Sequence, residues 1–219
     1  FNATWVPGYL GVKLMKSFGV PKQEIFQGLY CSNQKLFKKG KTISKRQKTF
    51  LFVGQLIKGK GLIELLNSFK NFSKINKNWK LIIVGKGPLR KLIPKHNNIK
   101  YLGFQKPEEI AKLMQKSRFL VLPTHLDQWP LVVNEATLSG CGLIITDVVG
   151  NLPEFSNRKN SIISKVSSEK SLLSSLVKAS KLPDVKLEKM YKESLRLSSK
   201  YVISNWVKNY YNIINYLKN

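Results

Sequence analysis

Carboxylates, cysteines and arginines are all scarce in this chain, and each shortage closes off a class of chemistry. Its 219 residues hold 12 acidic side chains against 38 lysines and arginines, a formal net charge of +26. Aspartate occurs only as Asp127, Asp147 and Asp184, so no Asp-x-Asp pair exists to hold a divalent metal against a phosphate, and metal-independent chemistry is expected. Cys31 and Cys141 form no Cys-x-x-Cys pair, which indicates neither a disulfide framework nor a zinc site and makes a reducing cytoplasm the expected compartment. Arginine is confined to Arg46, Arg90, Arg118, Arg158 and Arg196. That is a poor supply for bidentate contacts to guanine and phosphate, so specific nucleic-acid binding is not expected. No apolar run approaches the roughly 18 residues of a membrane-spanning helix, and a soluble chain is expected. The chain opens at Phe1 in ordinary mixed sequence, with neither a basic nor an apolar leader segment, and reads as a fragment.

What is abundant is lysine. The surplus fits the codon usage of an AT-rich genome, and it fits equally an attraction to anionic partners such as a membrane surface or a phosphate-bearing substrate. The 42% hydrophobic content is enough for one full domain, since a chain this long buries roughly 70% of its unfolded surface.

Five short apolar runs at 50–53, 81–84, 99–102, 119–122 and 143–146 read as buried strands. Helical patterns separate them at 62–75, 107–116 and 130–139, the last two opening on proline. This alternation predicts an α/β fold with a Rossmann-like, doubly wound parallel sheet. Ligands of such sheets sit at the carboxyl ends of the strands, so Gly54, Gly85, Gly103 and Pro123 are expected to rim one site. Ahead of the sheet lie a strand-like 3–6, a helix near 9–18 and an apolar 25–30. Residues 35–48 are polar and basic and read as a linker. Helices are expected at 169–180, 186–199 and 202–217, the last carrying an aromatic stripe of Trp206 and Tyr210 suited to packing.

Three segments carry candidate chemistry. Residues 54–61, Gly-Gln-Leu-Ile-Lys-Gly-Lys-Gly, follow a strand and open a helix, where backbone N–H groups and Lys60 can cradle phosphate. The spacing matches a P-loop up to the lysine, but Gly61 stands where the magnesium-binding hydroxyl belongs, which counts against an NTPase and leaves a glycine turn with a solvated lysine as the bland reading. Residues 84–90 place Gly85 and Gly87 after a strand, yet Arg90 replaces the third glycine of a dinucleotide fingerprint. In 127–136, Asp127 lies in a loop and Glu135 eight positions on, inside the helix that Pro130 begins. That helix start, at Trp129, Pro130, Leu131 and Val132, offers free N–H groups to a diphosphate, while Glu135 can accept hydrogen bonds from ribose hydroxyls or simply be solvated.

In this order the segments resemble the family-4 retaining glycosyltransferases of GT-B architecture: the G-Q-L-x-x-x-K-G turn at 54–61, V-G-x-G-P at 84–88, L-G-F at 102–104, and the E-x7-E element as Asp127 to Glu135. Two positions depart from the pattern. Many members carry arginine in place of Gln55 and glutamate in place of Asp127. The resemblance implies transfer of a sugar, hexosyl in type, from a nucleotide-diphosphate sugar to a glycan or lipid-linked acceptor, as in polysaccharide biosynthesis at the inner face of a membrane. It assigns the chemistry to Lys60, Asp127 and Glu135, and donor binding to Lys60, Glu135 and the 129–132 helix start together with Gly54, Gln55, Gly85, Gly87, Phe104 and Gln105, the last two meeting the base through backbone. Front-face attack, with the leaving phosphate taking the acceptor proton, would retain anomeric configuration. The resemblance also divides the chain: 1–33 as a remnant of the acceptor-binding amino-terminal domain, 34–48 as the linker, 49–199 as the nucleotide-sugar domain, and 200–219 as a helix crossing back. Most of the acceptor domain is then missing, and the fragment is expected to bind donor without transferring it. From another class, a basic nucleic-acid-binding module is the competing reading.

Overall fold

The computed structural model describes residues 2–218. Every predicted apolar run is a strand: β1 is Thr4–Val6, β2 Ile25–Gln27, β3 Gln47–Val53, β4 Lys80–Val84, β5 Ile99–Tyr101, β6 Ser117–Leu122, β7 Gly142–Thr146 and β8 Ser161–Ser164. The helices are α1 Tyr9–Ser17, α2 Leu62–Ile75, α3 Pro107–Lys116, α4 Leu131–Leu138, α5 Leu152–Phe155, α6 Glu169–Ser180, α7 Asp184–Ser198 and α8 Ile203–Lys218. Strands β3 to β8 pair in parallel in the order β5-β4-β3-β6-β7-β8. The chain therefore winds outward from β3 to β5, returns to lay β6 on the other side of β3, and continues outward to β8. The reversal between β3 and β6 is a topological switch point, where adjacent loops diverge and leave a crevice at the carboxyl ends.

The middle of the sheet is largely buried on both faces because 50–53, 81–84, 119–122 and 143–145 are apolar at successive positions rather than at alternate ones. Phe50, Phe52, Phe119, Val121 and Ile144 face a core shared with Leu65, Phe69, Leu172 and Leu176 of α2 and α6. Leu51, Leu120, Leu122, Leu143 and Ile145 face a second core with Met114 of α3 and Val133 and Ala136 of α4. Phe50 anchors the first: Trp79 stacks on it at 4.4 Å between ring centroids, and Phe72 meets it edge-on at 5.4 Å. Truncating such a ring leaves a cavity that costs about 3–5 kcal/mol.

The polar composition of 34–48 hides three anchors. Ile43 is fully buried in the first core and Phe37 in the second. Arg46 is buried too, its guanidinium donating to the carbonyls of Lys41, Met114, Ser117 and Ser139. A buried charge is tolerable only with its donors satisfied, and here they join the α3–β6 junction to the end of α4.

Strands β1 and β2 pair with each other and not with the large sheet. Helix α8 packs across them: the Trp206 indole donates to the Leu29 carbonyl at 2.8 Å, Asn209 donates to Gln27, and Trp206 lies 5.1 Å from Trp5 and 5.8 Å from Tyr210 between ring centroids. The expected aromatic stripe is thus a packing seam. On the other side of this unit, the Glu154 carboxylate of α5 accepts from the Tyr9 N–H at 2.6 Å, serving from a distance as the cap that Gly8 cannot give α1.

Two elements lie outside the sequence expectation, α5 and β8. Helix α5 has four residues with Pro153 near its start, and β8 is a Ser-Ile-Ile-Ser edge strand, so neither shows enough of its period to be recognised. Helix α7 starts at Asp184 because Pro183, with no N–H to contribute, sets its boundary.

Candidate functional site

The loops that leave β3, β4, β5 and β6 all emerge at one edge of the sheet, and their sequences bring them unusually close. Gly61 ends the first loop in the left-handed region at φ +68°, where a side chain is strained, and a Cβ there would collide with the Pro123 carbonyl after β6. Gly85, at φ +141°, packs so tightly that a Cβ would strike the Gly54 carbonyl. Hydrogen bonds complete the contact. Thr124 Oγ1 donates to the Gly59 carbonyl at 2.9 Å, the His125 N–H donates to the same oxygen at 2.9 Å, and the Gly85 N–H donates to Gly103 at 2.8 Å. Of the four residues expected to rim one site, Gly54 and Gly85 line the same pocket, Gly103 lines the neighbouring one, and Pro123 meets Gly61 without lining either.

Two depressions result. One, of about 550 Å³, is lined by Gly54, Gln55, Gly85, Gly87, Phe104 and Gln105, all six named from the sequence, together with Val53, Ile57, Val84, Lys86 and Ile110. Phe104 stands 62% exposed at its mouth with the Lys86 ammonium 5.1 Å from its ring centre. The Gln105 amide is tied down, donating to the Leu102 carbonyl at 2.6 Å, which fixes the loop that carries it. The other, of about 630 Å³, is lined by Asp127, Gln128, Trp129 and Leu131 with Leu126 and, from the amino-terminal unit, Pro7 and Tyr30.

Lys60 and Asp127 form an ion pair across the two loops, both side chains mostly buried. The sequence marks Lys60 and Asp127 separately as candidates for the chemistry, and nothing in it shows that they meet. Beside them, His125 Nε2 lies 2.8 Å from Glu64 Oε1 on the first turn of α2, and the other Glu64 oxygen is buried without a partner among the described residues. No motif marks Glu64 or His125. Their pairing depends on the long-range loop contact.

Pro130 caps α4, its carbonyl held by the Asn151 amide at 3.0 Å, and the N–H groups of Leu131 and Val132 have no partner among the described residues. Val132 and Trp129 pack into the second core, the indole resting edge-on against Phe155 at 5.9 Å, so these two supply mainly backbone to the site. Glu135 projects from the second turn of α4, half-buried, with no hydrogen-bond or ion-pair partner among the described residues. Burial pushes its carboxyl up to about 7. A buried, unpartnered carboxylate is unfavourable for folding, and such groups concentrate where a ligand completes them.

These features fit an anionic ligand with hydroxyl donors: a pocket with an exposed ring, a lysine at a glycine turn, two free helix N–H groups, and a carboxylate behind them. Comparison with known proteins gives the same direction. Residues 33–197 match the family described as glycosyl transferases group 1. Two uncharacterised glycosyltransferases of Methanocaldococcus jannaschii are similar, one 34% identical over 123 residues, covering 53% of this chain and 30% of the relative, the other 24% identical over 133 residues, covering 58% and 34%. The chain spans about a third of the length of these curated relatives. The fold is also that of the carboxyl-terminal domain of LpcC, a group 1 glycosyl transferase of Francisella tularensis, at TM-score 0.68 and 18% identity over 78% of this chain and 99% of that one. It matches the pneumococcal O-GlcNAc transferase GtfA, solved with UDP and GlcNAc, at TM-score 0.81 and 14% identity, over 100% of this chain and 46% of that one. These likenesses favour neither a nucleic-acid module nor a P-loop NTPase. With three quarters of its length under the family match and its sheet folded as a GT-B carboxyl-terminal domain, the chain belongs to the group 1 family of glycosyl transferases.

Proposed function

We propose that this chain is the donor-binding part of a metal-independent, family-4 retaining glycosyltransferase that moves a sugar from a nucleotide-diphosphate sugar to a glycan or lipid-linked acceptor. The observation that supports this is the set of loops at the switch point, where Gly54, Gln55, Gly85, Gly87, Phe104 and Gln105 line one pocket and the Lys60–Asp127 pair joins the loops after β3 and β6. Structural neighbours add support: GtfA was solved with UDP and GlcNAc, and HepE of Anabaena with UDP-glucose. The nucleoside would enter between Gly54, Gly85 and Phe104, with the base meeting the backbone of Phe104 and Gln105 and the ribose hydroxyls donating to Glu135. The diphosphate would lie at the N–H groups of Leu131 and Val132 with the Lys60 ammonium beside it. Breaking the anomeric bond leaves both bonding electrons on the diphosphate, and positive groups already fixed in place stabilise that charge without reorganising. Asp127, held by Lys60, sits next to the leaving group, where it can orient the sugar. In this reading residues 1–33 and 200–219 belong with an acceptor-binding domain, and the chain by itself binds donor without transferring it.

Titrating UDP and GDP into the protein by calorimetry at pH 8 tests this. Lys60→Ala and Glu135→Ala should each lower the affinity of the preferred nucleotide by about 1.5–3 kcal/mol, the value of a charge-assisted hydrogen bond. Unchanged affinity in both variants would remove the assignment. A base preference that survives high salt separates donor binding from counterion-driven binding to a polyanion, which fades steeply.

A further inference from the structure

At the end of the sheet opposite the candidate site, where β8 begins and α6 turns into α7, the surface opens into a cavity of about 580 Å³. Because the strands are parallel, Ser161 at the start of β8 lies away from the carboxyl ends that carry the crevice. The floor is apolar, formed by Ile162 and Met190 with Leu182 beside them. The rim is cationic: Arg158, Lys159, Lys178, Lys186 and Lys189 are exposed and have no ion-pair partner among the described residues. The one carboxylate lining the cavity, Glu193, is taken up by Arg196 at 2.7 Å and by the Asn157 amide at 2.6 Å, which hold it down at about 2. Lys192 is paired with Glu188 at 3.8 Å. Two apolar side chains nearby are uncovered: Ile163 at 45% exposure, which lines the adjoining hollow with Arg158 and Lys178, and Val185 at 67%, next to Lys186 in sequence.

A rim of one sign over an apolar floor complements an anionic amphiphile. Among the described residues no aromatic side chain lines the cavity, so they offer bases no platform to stack on. Lysines outnumber arginines, and the rigid fork suited to gripping a single phosphate is mostly absent. A soluble polyanion would leave the floor, Ile163 and Val185 in water. We propose that this α6–α7–β8 face docks the protein on a membrane surface rich in anionic phospholipid, lipid phosphates meeting the five free cations and the apolar side chains meeting the interface. The inference does not depend on the donor assignment.

Co-sedimentation with vesicles of phosphatidylcholine alone, and of phosphatidylcholine mixed with phosphatidylglycerol, tests it. The protein should bind only the mixed vesicles. Lys178→Glu, Lys186→Glu and Lys189→Glu together should weaken that partition roughly a hundredfold or more, since each lysine near an anionic surface contributes about a factor of five. The same charge change at the opposite sheet edge, Lys91→Glu, Lys95→Glu and Lys100→Glu, should leave most of the binding intact. Equal losses in both triple variants would assign the effect to net charge alone and overturn the proposal. So would equal binding to neutral vesicles, or an oligonucleotide bound as tightly and lost with the same three lysines. Circular dichroism and the melting temperature verify folding, and the corresponding glutamine triple should show the same order should the glutamate triple misfold.

Discussion

At the scale of single residues, Glu135 has the most to reveal. Its carboxyl titrates near 7 in the folded chain against 4.5 for an unperturbed glutamate, with burial as the cause. Folding therefore favours the protonated form. The stability this confers is full below about pH 4.5, and about 3 kcal/mol of it is gone once the pH has risen past 7. Glu135→Gln, neutral at every pH, should accordingly melt higher than the parent at pH 8 and show no advantage at pH 4. Nucleotide affinity should move the other way. Ribose hydroxyls donate to the ionised carboxylate, so affinity should climb as the pH passes through 7 in the parent and lose that step in Glu135→Gln, as calorimetry over a pH series would record. Asp127 gives a second contrast, because its charge sits beside the lysine that a diphosphate needs. Asp127→Asn should tighten binding of a bare nucleoside diphosphate by up to about 1 kcal/mol, roughly fivefold, and a fall in affinity would mean that Asp127 instead holds Lys60 in its working position.

At the scale of elements, the chain shows what periodicity can and cannot disclose. Strands β3, β4, β6 and β7 were legible because a buried parallel strand is apolar at each position, and α2, α3 and α6 because their apolar residues recur at helical spacing. The glycine turns after β3 and β4 were legible as turns, and so six lining residues of one pocket could be named in advance. The pairing of Lys60 with Asp127, and of His125 with Glu64, was not, since each joins residues some sixty positions apart through a fit that exists only after folding. Arg46 escaped notice for a similar reason: among lysines in a polar stretch, nothing local marks a buried guanidinium. That loop-to-loop fit depends on Gly61. Gly61→Ala would add about 1–2 kcal/mol of backbone strain and a clash with the Pro123 carbonyl. It should therefore lower the melting temperature and weaken nucleotide binding together, whereas Gly59→Ala, with open space around its Cα, should do neither.

At the scale of the whole molecule, the amino-terminal unit is held by a few identifiable contacts. Glu154 grips the start of α1, and Tyr30 lies 6.4 Å from Trp129 beside the cavity that contains Asp127. Glu154→Ala should raise amide hydrogen exchange along α1 and leave β3, β6 and β7 protected. If the sheet core were deprotected to the same degree, the two parts would unfold as one and the carboxylate would not be a local fastening.

The aromatic seam between Trp5 and Trp206 joins residues separated by nearly the whole chain. During synthesis β1 and β2 leave the ribosome before the sheet, yet the helix that covers them is made after it. The small two-stranded pair must therefore wait, uncovered, while the sheet between them is translated, and any partner present in that interval competes with α8 for its face.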